Sequence, residues 1–166
     1  MTAPPNTPLN RTPLPLPGLL AIASEAMFAE FREDLVKAGY GDIRPTHGCV
    51  FRFVREDGMR LTELATLAGI TKQSAGELVD DLAARGYIER FPDPADRRAK
   101  LLRLTARGEE AQAIGSELFG KLEERWAERY GNDRLEQLRH LLEEIAATEA
   151  PTSVPELAAA EPAPMR

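Results

Sequence analysis

The 166-residue chain has few cysteines and histidines and no long apolar run, which argues against disulfide-rich, metal-binding and membrane-spanning proteins. It contains one cysteine, Cys49, so no disulfide can form within the chain, and this usage favours a reducing, cytoplasmic compartment. With only two histidines, a metal centre would depend on carboxylates, and we predict none. No apolar run reaches the roughly 18 to 20 residues that a membrane span needs, so we predict no membrane partner.

The motifs of common enzyme classes are also missing. The sequence has no Gly-rich phosphate-binding loop and no G-x-S-x-G motif. His47 and Cys49 cannot face each other on a helix, because residues two positions apart point about 200° apart. We therefore predict that the protein is not an enzyme and binds no cofactor.

Basic residues are in deficit. The chain has 21 Lys and Arg against 27 Asp and Glu, which gives a formal net charge of −6. Such a chain can bind nucleic acid only through a locally basic surface, because phosphate contacts act over about a Debye length, roughly 10 Å. The distribution of charge along the chain is therefore more informative than the total.

The two ends of the chain differ in composition from the middle. Residues 1–16 are rich in proline, and residues 149–166 are rich in alanine and proline without any aromatic residue, which predicts disordered tails. Residues 17–148 show a mostly helical period. The apolar stripe of a first helix, over about 17–38, consists of Leu20, Met27, Phe31 and Leu35. The stripe of a second helix, which starts at Pro45, consists of His47, Val50, Phe51 and Val54.

Two short helices joined by a tight turn come next. They are "LTELATLAG" and "TKQSAGELVDDLAARG", and we predict Thr62 and Thr71 as their N-caps, because a hydroxyl can accept a hydrogen bond from a first-turn amide. The period then changes to that of strands in "YIERF" and "KLLRLT", with the turn-rich tip of a hairpin between them.

Two helices close the pattern. The long helix after Thr105 has an apolar face made of Ala111, Ile114, Leu118, Leu122 and Trp126. Gly131 interrupts it, and Asp133 with Glu136 predicts a capping box for a last helix. The apolar side chains of that last helix are Leu135, Leu138, Leu142 and Ile145.

A helix-turn-helix followed by a two-stranded hairpin is typical of the winged-helix arrangement, so we predict a mainly α fold with a small β-hairpin wing. The charge of the predicted hairpin differs from that of the winged-helix segment as a whole. Residues 57–105 hold equal numbers of basic and acidic groups, whereas residues 85–103 hold six basic and three acidic groups. The predicted wing is therefore locally basic in an acidic chain.

The stretch "GITKQSAGELVDDLAARGYIERFPDPADRRAKLLRLTARGEE" resembles the core of the MarR family of bacterial transcriptional regulators. The likeness lies in the D-P-x-D-R-R sequence of the hairpin and in the L-T-x-x-G start of the next helix. It extends over about residues 17–148 and implies a winged helix-turn-helix at about 57–105 with dimerisation helices at about 17–38 and 106–148. It also implies a homodimeric repressor that binds a pseudo-palindromic operator in double-stranded DNA and is released by a small phenolic or amphipathic ligand.

The resemblance also implies which side chains would meet DNA. From the recognition helix these are Thr71, Lys72, Gln73, Ser74, Gly76 and Glu77. From the wing they are Arg90, Asp96, Arg97, Arg98 and Lys100. Arg98 would enter the minor groove, with Asp96 holding its guanidinium by an ion pair, because a narrow A/T-rich groove concentrates negative potential.

The sequence departs from the family pattern at three positions. Many relatives have a basic residue in place of Glu77, a Ser or Thr in place of Gly76, and a Thr in place of Arg44. A carboxylate in the major groove repels phosphate but can accept from a cytosine amino group, so we expect the base preference to differ.

Other interpretations remain open for several residues. Met27, Phe31, His47 and Phe51 are candidates for an effector pocket, but apolar stripes at helical spacing are more often core. Cys49 is expected to be a small buried side chain, since no neighbouring cation or second cysteine would activate it. The alternative function is a winged-helix module for protein interaction, with weak, salt-insensitive or absent DNA binding.

Overall fold

The computed structural model describes residues 13–96 and 98–149. Within these residues the chain forms six α-helices and three short strands, which confirms the predicted mainly α fold with a small wing. The helices are α1 Leu16–Lys37, α2 Gly48–Phe53, α3 Leu61–Leu67, α4 Lys72–Ala84, α5 Ala106–Tyr130 and α6 Asn132–Glu149. The strands are β1 Met59–Arg60, β2 Ile88–Pro92 and β3 Lys100–Leu104. A 3-10 turn, Pro45–His47, leads into α2.

The three strands form one antiparallel sheet in the order β1-β3-β2. The predicted hairpin is β2 with β3, in a register that pairs Ile88 with Leu104 and Pro92 with Lys100. The outer strand β1 pairs Met59 with Leu102 and was not predicted, because two residues are too few to show a period. This strand ties the segment before α3 to the wing.

The core of the winged-helix part is made by side chains from every one of its elements. Leu64 of α3, Leu82 of α4 and Leu102 of β3 are almost fully buried, as are Met59 of β1 and Tyr87 at the start of the hairpin. Burial removes the apolar surface of these side chains from water, which is the dominant favourable contribution to folding. The hairpin and the two short helices therefore pack as one unit.

The L-T-x-x-G sequence forms the junction between the wing and α5. The hydroxyl of Thr105 accepts a hydrogen bond from the Gly108 amide at 3.1 Å and donates to the Gly86 carbonyl at 2.6 Å. A side chain at Gly108 would collide with the carbonyl oxygen of Tyr87, so only glycine allows the helix to approach the hairpin this closely. The motif therefore fixes the direction in which α5 leaves the sheet.

Some predicted helix starts differ from the structure. Thr71 caps α4 as predicted, whereas α3 already begins at Leu61, so Thr62 lies inside its first turn and does not cap it. Likewise α6 begins at Asn132, which places Asp133 inside the helix. The prediction of these two caps was wrong because each helix starts one or more residues before its best capping side chain.

The predicted apolar stripes are only partly buried. In α1, Phe31 and Leu35 are buried but Leu20 is 40% exposed, and in α6 Leu142 is 40% exposed. In α5, Ala111, Leu122 and Trp126 are buried as expected, whereas Ile114 and Leu118 are half-buried. No helix in residues 13–96 or 98–149 is both long and apolar enough to cross a membrane.

Candidate nucleic-acid interface

The second helix of the helix-turn-helix, α4, has one buried and one exposed face. Ala75, Val79 and Leu82 point into the core. At its start, the hydroxyl of Thr71 accepts a hydrogen bond from the Ser74 amide at 3.1 Å. The first turn, which carries Lys72, Gln73 and Ser74, is exposed. The helix therefore presents its N-terminal turn and one polar stripe to the surroundings.

The polar stripe of α4 consists of Gln73, Glu77 and Asp80, all exposed. The Gln73 amide donates to a Glu77 carboxylate oxygen at 3.1 Å. Asp80 binds the guanidinium of Arg90 on β2 at 2.6 Å. The structure thus places Arg90 where it braces the hairpin against α4, and its role as a DNA contact stays a prediction.

A buried aspartate fixes the base of the hairpin tip. One Asp93 oxygen accepts two hydrogen bonds from the Arg60 guanidinium, at 3.0 and 2.6 Å, and the other accepts from the Ala95 amide at 2.8 Å. These donors, Arg60 first, hold the pKa of Asp93 below its ordinary value. Sequence reasoning missed this pair, since nothing in the spacing of the two residues indicates that β1 brings Arg60 to the tip.

At the tip itself, the expected ion pair between Asp96 and Arg98 is absent from the part of the chain that the structure describes. Asp96 instead accepts a hydrogen bond from the backbone amide of Arg98 at 3.0 Å. The carboxylate shapes the turn because it binds the backbone, which leaves the guanidinium to other partners. Arg98 and Lys100 are exposed. Arg97 lies outside the described residues.

Ion pairs divide the cations of the winged-helix part into two groups. The cations that face carboxylates within the protein are Arg60, Arg85, Arg90 and Arg103. Lys72, Arg98 and Lys100 form no ion pair with any described residue, and they occupy the first turn of α4 and the hairpin tip. The available positive charge therefore lies at these two places.

His47 is a satisfied core histidine. It is fully buried, its Nδ1 accepts a hydrogen bond from the Arg44 amide at 3.1 Å, and its Nε2 lies 3.0 Å from an Asp81 oxygen. Burial, with the Arg44 charge beside it, lowers the pKa of His47. A neutral ring that accepts at Nδ1 carries its proton on Nε2, where it can donate to Asp81.

The other candidate pocket residues are also packed. Phe31 stacks on Phe119 with ring centroids 3.8 Å apart, and Phe51 meets Tyr87 edge-on at 5.9 Å. Met27 is half-buried against the same core. Two surface cavities, of about 400 and 230 Å³, are lined by other residues.

The single cysteine shows no sign of activation. Cys49 is half-buried, and its thiol donates to the Thr46 carbonyl at 3.3 Å. Burial raises the pKa of the Cys49 thiol, which disfavours the reactive thiolate.

A helix-turn-helix whose second helix exposes a capped N-terminal turn, next to a three-stranded sheet with an exposed hairpin tip, is the winged helix-turn-helix fold of DNA-binding proteins. The model of the MarR family matches residues 42–99, which contain both helices and the first strand of the hairpin, β2. The chain belongs to the MarR family of transcriptional regulators.

The chain is similar to several solved structures over most of its length. The transcriptional regulator Tm0710 from Thermotoga maritima is 30% identical, with 79% of this chain and 91% of that chain covered and a TM-score of 0.53. The transcriptional repressor CouR, bound to a 23-mer DNA duplex, is 28% identical, with 80% and 92% covered and a TM-score of 0.68. A structure of MarR is 27% identical, with 81% and 96% covered and a TM-score of 0.66. Among curated proteins no match is found.

Proposed function

We propose that the protein is a homodimeric repressor that binds a specific, pseudo-palindromic DNA site. In this proposal the first turn of α4 enters the major groove, and the hairpin tip reaches the neighbouring minor groove. The observation that carries the proposal is the position of Lys72, Arg98 and Lys100. They are cations without an ion pair among the described residues, and they lie on the two elements that a winged helix uses to contact DNA.

Support for the dimer comes from the terminal helices. Large apolar side chains are exposed along α1 and α6, where a single copy gives them nothing to pack against. They include Leu16, Leu19, Ile22, Leu138, Leu141 and Ile145. A second copy of the chain would cover such surfaces, and we assign these apolar side chains of the helices in residues 17–38 and 106–148 to that contact and residues 57–105 to DNA. For a two-fold dimer we expect two half-sites about 10 base pairs apart.

Support for repression comes from the relative CouR, which is a transcriptional repressor in complex with a DNA duplex. A dimer held on an operator inside a promoter would occupy the DNA that RNA polymerase needs. Activation from the same site would require a surface that contacts the polymerase. Reporter transcription with and without the protein separates the two outcomes.

The main test is the salt dependence of DNA affinity in matched variants. Lys72→Ala should weaken binding to all duplexes and lower the slope of log affinity against log salt by about one unit. Arg98→Ala should cost about 1 to 3 kcal/mol, most where the minor groove is narrow. Lys121→Ala is the control, because this exposed cation lies about 22 Å along α5 from the helix start and should change neither value.

Two results would contradict DNA binding through these cations. If both variants bind as tightly as the wild-type protein at physiological salt, the winged helix does not contact DNA through these cations. Binding that is absent or insensitive to salt in a folded dimer would favour the protein-interaction module instead.

Ligand-controlled release stays a prediction. A ligand among Met27, Phe31, His47 and Phe51 would have to displace the Phe31–Phe119 stack or the edge contact between Phe51 and Tyr87. Titration of candidate phenolic compounds against the DNA complex, with Phe51→Ala as the variant, tests it. Release of the wild-type protein but not of the variant would support a pocket at this place.

A further inference from the structure

Among the residues that the structure describes, one carboxylate on the exposed face of α4 has no cationic partner. The neighbouring acids are neutralised, since Asp80 faces Arg90 at 2.6 Å and Asp81 faces Arg44 at 2.5 Å. Glu77 forms no ion pair with any residue in 13–96 or 98–149, and its only side-chain hydrogen bond there comes from Gln73. On a surface that meets a polyanion, an unpaired negative charge lowers affinity unless it makes a contact of its own.

The pair Gln73–Glu77 has a fixed hydrogen-bond direction. A carboxylate can only accept, so the Gln73 group that lies 3.1 Å from Glu77 must be the amide NH₂. The carbonyl oxygen of Gln73 and the second oxygen of Glu77 remain available. The Glu77 carboxylate therefore presents only acceptors to whatever lies against this stripe, whereas Gln73 keeps its carbonyl oxygen and one amide N–H. The hydrogen bond restricts the rotamers of both side chains.

The space beside Glu77 allows a close approach. Gly76 precedes it, and a Cβ built at that position would have only a Leu61 methyl within 4 Å, at 3.8 Å. Packing therefore does not require glycine there. With no side chain at Gly76, nothing at that position keeps the helix backbone away from a base edge.

The major-groove edges of the four bases respond differently to the Glu77 carboxylate, which can only accept. Guanine offers only acceptors and thymine offers an acceptor and a methyl group, so both disfavour a carboxylate. Adenine offers one donor beside the acceptor N7, whereas cytosine offers the N4 amino group with no neighbouring acceptor on its groove edge. A carboxylate held by Gln73 thus matches cytosine best.

We propose that Glu77, held in place by Gln73, determines specificity by accepting a hydrogen bond from a cytosine amino group at one C·G pair in each half-site. The inference rests on the proposed function, because it requires α4 to lie in the major groove. It predicts opposite effects on two kinds of DNA. Removing the carboxylate should strengthen binding to unrelated duplexes, through lost repulsion, and should weaken the preference for the C·G pair.

The test compares duplexes selected from a random library by the wild-type dimer, by Glu77→Ala and by Glu124→Ala. Glu124 is the matched control because it is an exposed glutamate about 27 Å along α5 from the helix start. We expect the wild-type protein and the control to prefer cytosine at one position of each half-site by about tenfold. Glu77→Ala should lose this preference and keep those at all other positions.

A chemical probe of the DNA separates a hydrogen bond from an indirect effect. In N4-methylcytosine one amino hydrogen still pairs with guanine, and the methyl group replaces the hydrogen that faces the major groove. This base at the identified position should weaken wild-type binding about tenfold and leave Glu77→Ala binding unchanged.

Different results would overturn the proposed DNA-binding function and the role of Glu77. A folded wild-type dimer that selects no sequence overturns the proposed function and this inference with it. A wild-type dimer that selects an operator whose base preferences are all unchanged in Glu77→Ala overturns the role of Glu77 alone. Equal binding of the wild-type protein to cytosine and N4-methylcytosine at the selected position does the same.

Discussion

The winged-helix part, residues 57–105, and the terminal helices expose different kinds of side chain. All thirteen exposed large hydrophobic side chains of the described residues lie outside 57–105, and most are on α1 and α6. The winged-helix part instead exposes Lys72, Arg98 and Lys100 without carboxylate partners among the described residues. One region buries its apolar groups within a single copy and presents charge, whereas the other presents apolar surface.

This difference indicates two different partners. Exposed apolar area is stabilised by covering it with more apolar area, which a second copy would supply in the proposed dimer. Exposed unpaired cations at a helix start and a hairpin tip are satisfied by phosphate, which a duplex supplies. The overall charge of −6 hides this division because the acidic surplus lies outside residues 57–105.

The largest effect should come from charges on the apolar face of α6. Leu138→Glu combined with Leu142→Glu would bury unpaired carboxylates in the proposed dimer contact, at a cost of at least about 3 kcal/mol. Sedimentation equilibrium should show monomer in place of dimer. His140→Glu, on the side of the same helix that faces away from Leu138 and Leu142, is the control and should remain dimeric. A double variant that stays dimeric at micromolar concentration would contradict the assignment of α6 to the dimer contact.

A slightly smaller effect, on stability, should follow from adding a side chain where α5 packs against the hairpin. Gly108→Ala forces a Cβ against the Tyr87 carbonyl oxygen and should lower the free energy of unfolding by about 2 to 3 kcal/mol. Gly76→Ala is the matched change in α4, where the Cβ has room, and it should raise stability by about 0.5 to 1 kcal/mol. Urea titrations measure both. Equal effects of the two substitutions would show that the junction does not need glycine.

The smallest effect concerns the acid that holds the wing. The pKa of Asp93 is lowered in the folded protein, so its contribution to stability is present above the unfolded value of about 3.9 and is lost as pH falls through the folded value. Asp93→Asn should therefore be less stable at pH 7 and should lose part of the decline in stability below about pH 4. Urea midpoints between pH 3 and pH 7 test this. A variant with the wild-type pH profile would mean that Arg60 and Asp93 do not fix the hairpin.

Local patterns in the sequence predicted most elements of the fold. The apolar period of α4, the hydroxyl of Thr71 and the turn residues between β2 and β3 are features of neighbouring residues, so they can be recognised without the structure. Where two starts compete within one or two residues, as at Thr62 and Asp133, a capping side chain alone does not decide where the helix begins.

Contacts between distant residues could not be predicted in the same way. Arg60 meets Asp93 because β1 joins the sheet beside β3, and Arg90 meets Asp80 because the hairpin packs on α4. These pairs decide which cations remain available for DNA. The expectation that Asp96 holds the Arg98 guanidinium came from resemblance, whereas in the structure the carboxylate binds the backbone of the turn.

Sequence-specific DNA binding is tested most directly by selecting bound duplexes from a random library with the purified protein at about 150 mM salt, where nonspecific phosphate attraction is already weakened. We expect an inverted repeat whose two half-sites lie about 10 base pairs apart, on one face of the duplex. Recovery of no common sequence from a folded dimer would contradict it.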